Sequence, residues 1–387
     1  MTPVDEVDYL MSLNTAITES PVILFLGAGA SVPLGKPVMK DFVAKLPEQM
    51  TSENEASLLQ VLISARGYDL EAIMTDLETF ISLDYVSSFD FGGVEATLED
   101  AEKLRSLIRH SIIREYRAVD TDRTVTVYQP LFDTIFAHID LKTQPLPIFT
   151  TNYDLAIETF CRKQFRYDLT DGLYEDSPRE FFWDRTQFDM FKIYGSYLQI
   201  FTKGKVQEPQ HSRHLVLFKL HGSVNWMRKV SERKIVQSLP MYDVTDSDEY
   251  QNTIIYPAGN KVAHVEPYLT AYHYFSRCCE HAKLIIAIGY SFRDYDALTS
   301  LLKARQENEA LKLLILSPAS YDIRQMLDDD EWFLWTESIY GYFGNPESEA
   351  KYLPEIDKWL ARQLKGQPPV VAPIPRRKRT SRRKSRG

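Results

Sequence analysis

Short runs of mostly apolar residues, each followed directly or within a few residues by glycine or a small polar residue, are the feature of this sequence that most limits its fold. The runs are "VILFL" (22–26), "LPIF" (146–149), "HLVLF" (214–218), "LIIAI" (284–288) and "LKLLIL" (311–316). Such runs are typical of strands that are covered on both faces in a parallel sheet. The sequence therefore predicts five buried strands spread along one chain.

Segments with helical periodicity lie between these runs. Residues 39–140 repeatedly carry apolar residues at i, i+3 and i+4, with acidic residues near several helix starts. Strands that alternate with helices predict an α/β fold with a doubly wound, mostly parallel sheet. In that fold, residues 39–140 form a helical insertion lobe. Residues 165–215 are irregular and rich in aromatic residues, and we expect them to form a loop or a small β insertion.

The charge distribution sets the end of the chain apart from the rest. The net charge is −9, but residues 376–387 contain 8 of the 45 Lys and Arg residues. The remaining chain holds 37 basic and 54 acidic residues, a net charge of −17. Residues 366–387 are thus a Pro-rich linker and a basic tail, expected to be disordered and able to contact nucleic acid or an acidic protein face. A solvated tail that aids solubility explains the same composition.

The sequence favours a cytoplasmic protein. It contains no apolar run of about 18 residues, so no membrane span is predicted. The N-terminus lacks the basic and apolar regions of a secretory signal. Cys161, Cys278 and Cys279 give no disulfide framework, as expected in a reducing compartment.

Small and polar residues follow every predicted strand. They are "GAGAS" (27–31), "TTNYD" (150–154), "HGS" (221–223), "GYSF" (289–292) and "SP" (317–318). Ligands of open parallel sheets bind just outside the carboxyl ends of the strands. The sequence therefore predicts a binding site along this edge of the sheet.

Each of these motifs has a plain structural interpretation as well. "GAGAS" can cradle a diphosphate with its backbone N–H groups, or it can be an ordinary strand–helix turn. "IGYSF" can be a strand end before a helix that is capped by Asp294 or Asp296. A single histidine such as His221 is usually structural or exposed. Near Asn152 and Asp154, however, it becomes a candidate base, because its ordinary pKa lies close to neutral pH.

Taken together and in this order, "GAGAS" with Gly35 and Pro37, "TTNYD", "KLHGS" and "IGYSF" resemble the sirtuin superfamily. In particular, the sequence resembles the sirtuin-like domain of bacterial antiphage defence proteins, in which "TTNYD" replaces the "TQNID" of protein deacylases. The similarity covers about residues 20–320. It implies a Rossmann-like sheet that binds NAD, within a sirtuin-like domain spanning 1–365.

The resemblance also implies roles for individual residues. Asn152 would bind the nicotinamide ribose and position water, Asp154 would contact the carboxamide, and His221 would act as general base or contact a ribose hydroxyl. Ala28, Gly29, Ala30 and Ser31 would line the pyrophosphate. Gly289 and Ser291 would hold the adenine ribose, and Ser317 would lie near the adenine. The same matching assigns cofactor contact to Gly27, Pro37 and Thr150.

The sequence also departs from the deacylase pattern. Deacylases resemble one another in a four-cysteine zinc ribbon, whereas this chain has three cysteines and no C-x-x-C, so a four-thiolate zinc site is impossible. The "PDFR" of deacylases is replaced by "PVMKDF" here. These differences favour hydrolysis of NAD over acyl transfer, with NAD as the substrate and no metal.

From the resemblance we expect an NAD glycohydrolase that serves as the effector of an antiphage defence system. Its activity would be controlled by homo-oligomerisation or by a partner such as a HerA-like ATPase or an Argonaute. The basic tail, 376–387, would dock on that partner or contact nucleic acid. Two alternatives remain: an NAD-dependent protein deacylase, and a non-catalytic NAD- or ADP-ribose-binding scaffold that contacts nucleic acid through its tail.

Overall fold

The computed structural model describes residues 10–83, 88–91, 94–139, 144–177, 180–188, 190–192, 213–229, 231, 234–237, 250–254, 266–327 and 336–364. The helices within these residues are α1 (Leu13–Thr18), α2 (Met39–Lys45), α3 (Glu53–Arg66), α4 (Leu70–Ser82), α5 (Leu98–Arg117), α6 (Thr121–Phe136), α7 (Ala156–Lys163), α8 (Tyr268–His281), α9 (Tyr295–Glu307), α10 (Ser320–Met326) and α11 (Pro346–Leu364). The strands are β1 (Leu10–Ser12), β2 (Val22–Leu26), β3 (Ser88–Phe91), β4 (Val94–Thr97), β5 (Leu146–Thr150), β6 (Tyr167–Thr170), β7 (Leu173–Ser177), β8 (Glu180–Trp183), β9 (Met190–Lys192), β10 (Arg213–Lys219), β11 (Trp226–Lys229), β12 (Lys234–Gln237), β13 (Tyr250–Asn252), β14 (Leu284–Ile288), β15 (Lys312–Ser317) and β16 (Thr336–Tyr340).

A seven-stranded sheet forms the centre of the protein, in the order β16-β15-β14-β2-β5-β10-β6. Every pairing in it is parallel. From β2 the chain first builds the sheet on one side, through β5, and later on the other side, through β14. The strand order therefore reverses between β2 and β14, where such sheets have their ligand crevice. The predicted Rossmann-like, doubly wound α/β fold is confirmed.

Strands β2 and β14 are apolar throughout, and β5, β10 and β15 are mainly apolar, because both faces of the sheet are covered. Phe25, Phe149 and Phe218 stand side by side in register and pack on one face beneath α8. Leu24, Leu26 and neighbouring aliphatic residues pack on the other face, beneath α6, α7 and α11. Burying each such side chain stabilises the fold by about 1.5–3 kcal/mol.

The two edge strands of the sheet were not among the strands predicted from the sequence. β6 is the four residues "YDLT", and β16 is "TESIY", which is only partly buried. Edge strands are commonly short and polar, so they lack the apolar run by which buried strands are recognised. β6 falls within the predicted insertion, 165–215, whose residues 193–212 lie outside the described part of the chain.

A second, antiparallel sheet is built in the order β13-β11-β12-β8-β7. Its β7 and β8 come from the aromatic-rich segment, and its β11 begins three residues after the end of the "HGS" motif. β9 from the same segment pairs with β1 near the N-terminus. Aromatic residues of this segment thus serve packing: Phe188, for example, stacks on Phe218 at 4.8 Å between ring centroids.

Helices α2–α5 and the β3–β4 hairpin form a lobe with a core of its own. Helix α6, also within 39–140, packs on the sheet instead. Tyr153 and Val224, from the loops after β5 and β10, are buried in the core of the lobe. The lobe is therefore fixed to the edge of the sheet where the polar motifs lie.

Among the described helices, none is both long enough and apolar enough to cross a bilayer. The predicted linker and basic tail, 366–387, lie outside the described residues.

Candidate functional site

The glycine-rich loops after β2 and β14 are packed backbone to backbone. The N–H groups of Gly27 and Gly29 donate to the carbonyl oxygens of Ile288 and Gly289, both at 2.9 Å. A Cβ atom added to Gly27 would lie 2.5 Å from the Cα atom of Tyr290. One added to Gly289, whose φ is +60°, would lie 2.5 Å from the amide nitrogen of Ala30. These glycines are therefore required for the contact between the two loops, at the point where the strand order reverses.

The N–H groups of the "GAGAS" loop are largely used within the protein. Gly29 donates to Gly289, Ala30 donates to Gly27 at 2.9 Å, and Ser31 donates to Ala28 at 3.1 Å. Contact of these three groups with a pyrophosphate would require each hydrogen to be shared. The sequence left two interpretations of these glycines open, a diphosphate cradle and an ordinary turn. In the structure they pack the two loops together, and their contact with a ligand stays a prediction.

Asn152 is held by its side-chain nitrogen. Nδ2 donates to the carbonyl oxygen of Gly27 at 2.8 Å and to Ser31 Oγ at 2.9 Å. A carbonyl oxygen can only accept a hydrogen bond, so the amide must present its nitrogen to Gly27. The oxygen Oδ1 is then the atom through which Asn152 can contact a ligand. The N–H group of Asn152 donates to Thr150 Oγ1 at 3.0 Å, which fixes the start of the loop.

Asp154 lies beneath the loop and is only 4% exposed. Ser31 Oγ donates to its Oδ2 at 2.5 Å, and the N–H group of Ala156 donates to its Oδ1 at 2.9 Å. The carboxylate thus orients Ser31, which in turn accepts from Asn152. This geometry gives Asp154 a structural task at the start of α7. Its predicted contact with a carboxamide stays a prediction.

His221 is paired with Asp294 across the loops after β10 and β14. Their Nε2 and Oδ2 atoms are 2.6 Å apart, and both side chains are almost fully buried. The other oxygen of Asp294 accepts from the N–H groups of Asp296 and Ala297, so Asp294 is the N-cap of α9. The sequence offered Asp294 as a possible cap but gave no signal of its contact with His221, which is 73 residues away.

The surroundings of Asp294 keep it ionised. Burial alone would raise its pKa, but the hydrogen bonds from His221 and from the α9 N–H groups hold the pKa below its ordinary value. A carboxylate only accepts, so Nε2 of His221 carries the proton that faces Asp294. In a neutral ring Nδ1 is then the free base.

Glu71, in the first turn of α4, is a candidate that sequence reasoning missed. Its pKa is raised to about 7, chiefly by burial; His221 opposes this rise, and the carboxylates of Asp69 and Asp294 contribute to it. The lobe therefore brings an acidic group near the His221–Asp294 pair. No sequence signal marks it, because periodicity does not determine how the lobe lies on the sheet.

The other predicted contact residues occupy the same edge. Thr150 Oγ1 donates to the carbonyl oxygen of Leu26 at 3.0 Å, and Ser291 is exposed. The Oγ atom of Ser317 accepts from the N–H group of Ala319 at 3.1 Å. Pro37 is turned toward the lobe, where its carbonyl oxygen accepts from Tyr116 at 2.8 Å. Their roles in ligand binding stay predictions.

Within the described residues, no group of three or more His, Cys, Asp and Glu side chains is arranged to hold a metal ion.

The strand exits therefore form a connected site in a Rossmann-like α/β protein, and part of the chain is similar in sequence to a known family. The sequence model of the SIR2-like domain matches residues 147–332, which include Asn152, His221 and Asp294. No curated protein matches the sequence.

Solved structures of Sir2 proteins are similar over most of the chain but at low identity. A Sir2 homologue–NAD complex is 14% identical, covers 91% of this chain and 94% of its own, and has a TM-score of 0.41. Mutant Sir2 homologues in complex with 2′-O-acetyl ADP ribose are 14% identical. The similarity covers 90% of this chain and 97% of theirs, with a TM-score of 0.43. Sir2 bound to acetylated peptide is 13% identical. The similarity covers 90% of this chain and 95% of that protein, with a TM-score of 0.39.

Proposed function

We propose that the protein is an NAD glycohydrolase, which converts NAD and water to nicotinamide and ADP-ribose. The observation that carries the proposal is the pairing of His221 with Asp294 in the same strand-exit cluster as Asn152, whose Oδ1 is left for a ligand. The match of the surrounding residues to the SIR2-like domain supports NAD as the ligand.

The chemistry requires little beyond positioning and electrostatics. The bond between the ribose C1′ and the nicotinamide nitrogen breaks, and its electron pair leaves with neutral nicotinamide. A water oxygen forms the new bond to C1′, and one proton must be removed from it. His221 Nδ1 is suited to accept that proton, while Asn152 Oδ1 is suited to orient the water or a ribose hydroxyl.

The arrangement of charge fits this reaction. Positive charge develops on the ribose as the bond breaks, and the low pKa of Asp294 keeps a carboxylate behind His221. A histidine that gains a proton there is stabilised by its partner. The sequence departs from deacylases at the zinc ribbon, and this supports hydrolysis rather than transfer to an acyl-lysine.

The biological role follows from the sequence resemblance and forms part of the same proposal. The enzyme would be the effector of an antiphage defence system and would deplete NAD when it is activated. Because uncontrolled NAD loss would harm the host, its activity would be gated by homo-oligomerisation or by a partner such as a HerA-like ATPase. The acidic body and the basic tail, 376–387, offer two charged surfaces for such a partner or for nucleic acid.

The test is product analysis with the full chain, alone and together with its partner ATPase. NAD is supplied with and without an acetyl-lysine peptide, and nicotinamide and ADP-ribose are quantified. We expect equal amounts of the two products, unaffected by the peptide. Acyl-ADP-ribose formed only with peptide would identify a deacylase. Binding of NAD without turnover would identify a scaffold, and either result would overturn the proposal.

A further inference from the structure

Lys219 is a buried cation at the end of β10, and its side chain is 3% exposed. Its Nζ atom donates to the carbonyl oxygen of Asp154 at 2.5 Å and to Ser223 Oγ at 2.7 Å, and it lies 2.8 Å from Glu158 Oε1. These partners lie on three separate segments: the loop after β5, the loop after β10, and α7. The ammonium group therefore has all three of its hydrogens directed at different parts of the site.

A buried ion pair at this position is not explained by stability. Taking both charges out of water carries a desolvation penalty, and apolar residues of similar volume often serve stability equally well. Glu158 also has its second oxygen, Oε2, buried without a hydrogen-bond partner among the described residues. The ion pair thus carries a desolvation penalty that is not fully offset, and residues that served only packing would not incur it.

The contacts of Lys219 join the two loops that carry the candidate catalytic side chains. Asp154 is two residues beyond Asn152, and Ser223 is two residues beyond His221. Ser223, which accepts from Lys219, donates in turn to Asn225 Oδ1 at 2.6 Å. The backbone supports the same junction, since the N–H group of Val224 donates to the carbonyl oxygen of Tyr153 at 3.0 Å.

We propose that Lys219 is a positioning residue, which sets the separation of Asn152 and His221 by tying the loop after β5 to the loop after β10. The role in turnover rests on the proposed NAD hydrolysis. It predicts a specific kinetic effect: loss of the tie lowers kcat, because the reacting groups are misplaced. The KM for NAD changes little, because the predicted pyrophosphate and adenosine contacts lie on the loops after β2, β14 and β15.

The decisive variant removes both charges at once. Lys219→Met alone would leave Glu158 buried and unpaired, so misfolding would confuse the result. The double variant Lys219→Met, Glu158→Leu fills the same space with apolar side chains and removes only the contacts of Lys219 with the two loops and α7. We expect kcat to fall by about 10- to 100-fold with KM changed less than about threefold. The control is Arg213→Met, Asp133→Asn, which removes an ion pair at the other end of β10 and should leave kcat unchanged.

Hydrogen exchange separates this proposal from the proposed function. In the double variant, amides of 151–155 and 221–225 should exchange faster than in the wild type, while those of β2 and β14 should not. Wild-type kcat in the folded double variant, or unchanged exchange in both loops, would overturn the positioning role. If the wild type releases no nicotinamide, the NAD hydrolysis proposal fails, and the exchange measurement alone decides whether Lys219 holds the loops.

Discussion

At the scale of single residues, the site depends on which atom of each side chain is used by the protein. Asn152 uses its amide nitrogen for Gly27 and Ser31, and His221 uses Nε2 for Asp294. Each is thereby left with one acceptor atom, Oδ1 and Nδ1 respectively. Two acceptors on adjacent strand exits suit a reaction in which a proton is removed from a hydroxyl group or water.

Replacing Asn152 with Asp should destabilise the protein more than replacing it with Ala. Asp would place a second acceptor opposite the carbonyl oxygen of Gly27, whereas Ala removes the contact without repulsion. We expect Asn152→Asp to have a free energy of unfolding lower than that of Asn152→Ala by about 1–3 kcal/mol at pH 7. Urea denaturation measures the difference. An Asp variant as stable as wild type would show that the contact with Gly27 is absent in solution.

Glu71 gives a prediction about pH. In the folded state it keeps its proton up to a pKa of about 7, whereas the ordinary value is near 4.5. The native state therefore binds more protons than the unfolded state in this window, and the contribution of Glu71 to stability falls as pH rises through it. Glu71→Gln should raise the free energy of unfolding by roughly 1–2 kcal/mol more at pH 8 than at pH 5.

The measurement is urea denaturation of wild type and Glu71→Gln at both pH values. Glu53→Gln, at the exposed start of α3, is the control and should show no such difference. An equal effect of Glu71→Gln at pH 5 and pH 8 would contradict the raised pKa.

At the scale of elements, the loops after β2 and β14 pack against each other through their backbones. Gly289 and Gly35 have positive φ angles of +60° and +82°, but a Cβ atom on Gly35 would meet nothing closer than the Nη1 atom of Arg123 at 4.0 Å. Gly289→Ala should cost the strain of the positive φ together with a clash against Gly29 and Ala30. Gly35→Ala, in the left-handed conformation, should cost the strain alone, about 1 kcal/mol. We expect Gly289→Ala to lose at least about 2 kcal/mol more, measured by urea denaturation.

Tyr153 links the helical lobe to the candidate site. It lies between Asn152 and Asp154 in sequence, yet its ring is buried in the core of the lobe, edge-on to Tyr116 at 6.4 Å between centroids. Tyr153→Leu should lower kcat and cost about 1–3 kcal/mol of stability, because the loop loses its anchor. Leu77→Val, deep in the same core, is the control: it should lower stability with little change in kcat. Equal kcat effects of the two variants would contradict a specific link.

At the scale of the whole molecule, the sequence determined the central sheet well and the relations between elements poorly. The strand runs 22–26, 284–288 and 311–316 are recognisable because burial on both faces demands apolar residues at nearly every position. Strands β6 and β16 lie at the edges of the sheet, so they are only partly buried and lack such an apolar run. Likewise, the sequence predicts Asn152 and His221 as site residues because they follow strands, whereas Glu71, Lys219 and Asp294 reach the same region through long-range contacts that no local pattern specifies.

The central claim is that the protein hydrolyses NAD with Asn152 and His221 as its catalytic side chains. Release of nicotinamide tests this claim most directly. The wild type, the double variant Asn152→Ala, His221→Ala and a surface control, Lys163→Ala, are assayed with NAD, each alone and with the proposed partner, a HerA-like ATPase. We predict turnover by wild type and control, and a loss of at least about 100-fold in the double variant. Release of nicotinamide by the double variant at the wild-type rate, or NAD left intact by the wild type in both conditions, would contradict the claim.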